Sequence, residues 1–162
     1  MGTPINVVLD SFHMKIEKDF DFFEYQNVSD DDAAKIIEER SLRYLNEAIS
    51  KMYLYGSPDI SLEYKTNENC FDEMLTRIEI ELISSLMAES HFHRDYASLK
   101  ANQIQFSPKE LNHFSPANER KTFVEMYKGI VEENRISLSQ YFSRDRLTNK
   151  LKGIDYASHQ SE

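Results

Sequence analysis

The stretch FDEMLTRIEIELISSLMAE, residues 71–89, constrains the fold more than any other part of the chain. Phe71, Met74, Leu75, Ile78, Leu82 and Leu86 recur at helical spacing, and Ile80, Ile83 and Met87 widen the stripe. A helix that is apolar over so broad an arc cannot bury its surface against a single neighbour. It is the central helix of a bundle, or one shared between subunits. The rest of the chain has to supply the helices that cover it.

Three further segments do so. Val8, Phe12 and Ile16, with Leu9 beside them, mark a helix over about residues 6–20. Ser29 is a good N-cap, and Asp30, Asp31 and Asp32 fill the first turn, where the helix dipole favours negative charge. Asp32 stands three residues after Ser29, in the glutamate position of a capping box. Ala33, Ile37, Tyr44, Leu45, Ala48, Ile49 and Met52 continue that second helix until Gly56 and Pro58 stop it. The central helix is expected to start at Asn69, with Asp72 as its capping partner, and to stop near residue 95. Two FSP repeats, at 106–108 and 114–116, each combine a Ser N-cap with Pro at the first helical position. The first opens a short turn over 108–113. The second opens a helix over about 116–142, striped by Phe123, Tyr127, Ile130, Asn134, Leu138 and Tyr141. Gly129 lies inside it at a cost of about 1 kcal/mol, which implies close packing of another helix there.

The fold class is therefore all-α: about four helices, two or three of them long, with extended connections and a C-terminal tail. Only four glycines and four prolines occur, too few for a turn-rich β architecture. A short extended piece at 60–64 is the sole strand signal. We divide the chain into a helical domain, 1–142, and a basic tail, 143–162. The tail carries four cations against three acids, whereas residues 1–32 carry eight acids against two lysines. Its sparse apolar residues leave three readings open: disordered, ordered by a partner, or packed on its own domain.

Composition excludes several functions. Hydrophobic residues make up 40% and charged residues 29% of the chain, as in ordinary globular proteins. The N-terminus lacks a signal-peptide pattern, and no apolar run approaches the roughly 18 residues of a membrane span. A cytoplasmic site of synthesis and no membrane partner are the expectations. Net charge is −9 with no basic face, which argues against sequence-specific nucleic-acid binding. The motifs of phosphate loops, zinc proteases and serine hydrolases are absent. Cys70 alone makes neither a disulfide nor a multi-cysteine zinc site, and it reads as a buried structural thiol. Glu110 and His113 form a single Glu-x-x-His with no second copy, so a di-iron bundle is not supported.

ESHFHRD, residues 89–95, sets Glu89, His91, His93 and Asp95 within seven positions, a metal-like list. On a helix the two histidines diverge by roughly 200°, and chelation would need an extended backbone. The preceding stripe and Phe92 favour the fraying polar end of the central helix. No catalytic residue, metal ligand or cofactor is assigned, and the chain is not expected to be an enzyme.

The order of VVLDSFHMKIEKDFDFF, RSLRYLNEAISKMY, FDEMLTRIEIELISSLMAESHF and FSPANERKTFVEMYKGIVEENRISLSQYFSRD resembles the small helical head–tail connector (adaptor, neck) proteins of tailed bacteriophages, over about residues 7–145. The resemblance implies a virion protein made in the bacterial host. It implies a homo-oligomeric ring, usually of twelve copies, beneath the portal protein, which extends the DNA channel and seats the next neck or tail protein. DNA would pass through without sequence-specific binding, which an acidic balance suits. Portal or subunit contacts would come from Tyr141, Phe142, Arg144, Arg146, Leu147, Lys150, Leu151, Lys152, Ile154 and Tyr156. Phe20, Phe22, Phe23 and Tyr25 would form a secondary set, and the connections 57–69 and 97–115 are the next arms to consider. The alternative class is a cytoplasmic helical interaction protein, an antitoxin-like or anti-host inhibitor.

Overall fold

A computed structural model describes residues 2–16, 29–65, 68–105 and 117–153. Four helices carry the fold: α1 (Ile5–Lys15), α2 (Asp30–Tyr55), α3 (Arg77–Gln105) and α4 (Ala117–Ser143). One small antiparallel ladder, β1 (Tyr64–Lys65) and β2 (Cys70–Phe71), lies between α2 and α3. Among the described residues the chain is an all-α bundle of four helices with this one minor sheet.

The helix α3 is the hub, packing against α1, α2 and α4. Leu82, Ile83, Leu86 and Met87 of α3 are buried with Val8 and Phe12 of α1, Leu45, Ala48 and Met52 of α2, and Leu138 of α4. Each large side chain so buried contributes roughly 1.5–3 kcal/mol relative to exposure. Ser11 of α1 and Ser84 of α3 meet with 3.0 Å between their hydroxyl oxygens, so small residues let these two helices approach closely.

The start of α2 follows its capping residues. The Asp32 N–H donates to Ser29 Oγ (3.3 Å), and the Ser29 hydroxyl donates to Asp32 Oδ2 (2.7 Å). At the other end Gly56 is extended rather than left-handed, so it is not a turn glycine. Its role is steric: a Cβ there would sit 2.9 Å from Cδ1 of Phe142.

The start of α3 differs from expectation. Asn69 adopts a positive φ of 48° in the tight turn before β2 and caps nothing, and Cys70 is half-buried in a strand rather than at a helix end. Backbone bonds from Phe71 to Thr3 and from Ile5 to Asn69 lay the N-terminal residues beside β2. The helix begins only at Arg77, through a capping box between Thr76 and Glu79. The Glu79 N–H donates to Thr76 Oγ1, and Glu79 Oε2 accepts from the Thr76 N–H at 2.6 Å.

The end of α3 differs as well. The helix does not stop at ESHFHRD but runs to Gln105. Phe92, Tyr96 and Leu99 continue its apolar spacing, and α4 gives that stripe a partner. Phe92 meets Phe123 edge-on, and Tyr96 stacks on Tyr127 with 4.7 Å between ring centroids. Half of the expected 97–115 connection is therefore helix. The close packing expected at Gly129 is not found: among the described residues no atom beyond its own stretch of helix lies within 4 Å of where its Cβ would stand.

Candidate functional site

The most elaborate polar site lies where α3 begins and α4 ends. Glu79 is fully buried. Its carboxylate accepts five hydrogen bonds: from the Thr76 N–H and hydroxyl, from the Tyr141 hydroxyl (2.9 Å to Oε1), and from Arg146 Nε (2.6 Å to Oε1) and Nη2 (3.1 Å to Oε2). Arg146 Nη2 also donates to the Met74 carbonyl. Burial pushes the Glu79 carboxyl up, but the bonds from Arg146, Thr76 and Tyr141 outweigh it and hold the group below its ordinary value. The Tyr141 hydroxyl moves well above its ordinary range, first through burial and then through the adjacent Glu79 charge.

Arg146 reaches this site because the chain doubles back after α4. Residues 144–153 form a strap. Arg144 and Leu151 make a β-bridge, the Lys152 N–H bonds to the Ser143 carbonyl (2.9 Å), and Asp145 closes the turn by accepting from the Leu147 and Thr148 N–H groups and the Thr148 hydroxyl. Those donors, led by Thr148, hold the Asp145 carboxyl below its usual value. Lys152 ties the strap to Asp59, in the connection after α2, at 2.8 Å. No residue of the strap is buried. Through Gly153 the tail is thus folded against the helical body, and the boundary drawn at Ser143 is crossed without the chain leaving it.

The strap forms one wall of a cleft of about 910 Å³. Lys15 of α1, Ser85 of α3 and Asn134 and Ser137 of α4 form other parts of its lining, with cationic and anionic side chains interspersed. Around the same end of the bundle large apolar side chains face solvent: Leu54 (87% exposed), Leu147 (79%), Leu151 (72%) and Met74 (69%).

The residues singled out in the sequence fall into three groups. Tyr141 and Arg146 are engaged with Glu79, and Phe142 stacks on Tyr55 beside Gly56. Arg144 donates within the strap to the Asn149 carbonyl at 3.0 Å, and Lys152 is paired with Asp59. Leu147, Lys150 and Leu151 are exposed. Ile154, Tyr156, Phe20, Phe22, Phe23 and Tyr25 lie outside the described residues, as do Glu110, His113 and the short turn over 108–113.

ESHFHRD is an internal part of α3, and its side chains diverge. His91 is buried, edge-on to Phe12 and Tyr44, with ring centroids 6.2 and 5.7 Å away. His93 points to α4 and meets the Tyr127 hydroxyl at 2.8 Å. Glu89 pairs with Lys51 of α2 (2.9 Å) and accepts from Asn134 of α4 (2.8 Å). It is a polar tie across three helices. Among the described residues no three His, Cys, Asp or Glu side chains gather as a metal site would need.

Glu79 was not singled out in the sequence, although T-R-I-E at 76–79 is a capping box and was legible as one. Its pairing with Arg146, 67 residues away, has no local signal.

The fold defines a four-helix protein whose most developed polar site binds one part of the chain to another. No protein-family model, curated protein or solved structure matches the chain. No helix among the described residues is long and apolar enough to cross a membrane.

Proposed function

We propose that the chain is a structural subunit of the head–tail connector of a tailed bacteriophage virion. Copies form a ring, of about twelve by the family resemblance, beneath the portal protein. The ring extends the DNA channel and seats the next neck or tail protein. DNA passes through it without sequence-specific contacts, and the chain has no catalytic role.

The observation that carries this reading is the apolar surface at one end of the bundle. Leu54, Met74, Leu147 and Leu151 are each at least two-thirds exposed, and they surround the point where α2 and α4 stop and α3 starts. Clustered exposed apolar side chains are the usual mark of a protein-binding surface. The acidic balance of the chain, at −9, suits a channel that must let DNA slide.

The test is co-assembly with the portal protein of the same virion. Mass photometry of the mixture should register a complex of portal plus several copies of this chain. Separate species at every mixing ratio would count against the assignment.

A further inference from the structure

We infer that the Glu79 site is a guanidinium receptor, which the chain's own Arg146 fills in the single subunit and which the strap of a second copy fills when copies associate.

The receptor is built before any strap arrives. Thr76 and Tyr141 belong to α3's cap and to α4, and their donors fix the carboxylate in place. With the Met74 carbonyl, it presents three acceptor atoms to two guanidinium nitrogens of Arg146. That matches the planar fork of an arginine, where a lysine offers only a point charge. A buried carboxylate cannot be left without its cation, so loss of one arginine calls for another.

The strap is suited to exchange. No residue of it is fully buried, though the Arg146 side chain is only 16% exposed. Among the described residues its side-chain ties to the body are the ionic bonds of Arg146 and Lys152 and the Arg146 bond to the Met74 carbonyl. An identical strap from a second copy can make the same bonds, and exchange of identical elements is a low-cost route to association. The apolar side chains around the site add to it. Met74 and Ile78 flank the receptor, Leu147 and Leu151 lie on the strap, and all four are exposed in the single subunit. A tethered strap has an effective concentration on the order of 1 mM, so the intramolecular bond dominates in dilute solution and exchange takes over where copies are crowded.

This inference deepens the self-association in the function proposed above, but it concerns the purified chain alone, so failure to bind a portal and failure to exchange are separate results. Full-length Arg146→Met keeps the receptor and loses the key, while Glu79→Gln keeps the key and loses the charged receptor. Each alone should sediment as a monomer, whereas an equimolar mixture should give a two-copy species that holds one native clasp. If both variants retain their helical circular dichroism and the mixture sediments as the sum of its parts, the inference is overturned. If either variant does not fold, the unmutated chain decides. Its sedimentation should shift from one copy to two as protein concentration passes about 1 mM. A one-copy species at every concentration overturns the inference.

Discussion

Arg146→Met tests whether the strap is part of the folded domain or an ornament on it. The substitution keeps most of the aliphatic stem and removes the guanidinium. Two charge-assisted bonds to Glu79 and one bond to the Met74 carbonyl disappear. Removing one partner of a buried ion pair costs about 3–5 kcal/mol. Three neutral donations, two from Thr76 and one from Tyr141, still reach the carboxylate, so the lower end, about 3 kcal/mol, is the expected loss. For a chain of this size that is a fall of about 6–12 °C in melting temperature, read by circular dichroism at neutral pH. The pH dependence sharpens the test. The native pKa of Glu79 lies below its ordinary value, so the unfolded chain binds that proton more tightly. The stabilisation is complete above the unfolded pKa of about 4.3 and is lost as pH falls through the lower native value. Without Arg146 one of the influences that lower it is lost, and the carboxyl titrates higher than in the parent. The deficit of the variant should therefore be largest near neutrality and narrow toward pH 3. A change below about 2 °C at pH 7 would refute the reasoning, because it would place the pair among surface ion pairs of negligible worth.

Further consequences follow from other parts of the structure. Gly56→Ala drives a methyl into the Phe142 ring, which is stacked on Tyr55, and should cost about 1–3 kcal/mol by chemical denaturation. Ser29→Ala removes the cap of α2 and should cost about 1 kcal/mol in the same assay. Leu147→Ser with Leu151→Ser removes exposed apolar surface only. It should leave the denaturation midpoint within about 0.5 kcal/mol of the parent while lowering self-association in sedimentation.

Much of the architecture was legible because its signals are local. The α2 boundaries follow from Ser29 and from the Gly56–Pro58 stop, and the hub role of α3 follows from the width of its stripe. Where local signals competed, the stronger tertiary contact won. Asn69 and Asp72 read as a cap, but pairing with β1 and with Thr3 drew Cys70–Phe71 into a ladder and left the capping to Thr76 and Glu79. The histidine-rich stretch read as a helix end, but Phe92, Tyr96 and Leu99 gained an aromatic partner surface on α4, and the helix continued.

The sequence by itself determined the class of fold, the caps and the faces to be buried. Helix periodicity and capping act within a few residues and leave their mark in spacing. The site was decided by tertiary structure alone. Glu79 gains its character only when α4 delivers Tyr141 and the strap delivers Arg146 across 62 and 67 residues. A charge in a sequence does not reveal whether it will be solvated or buried, and burial is what makes this pair matter.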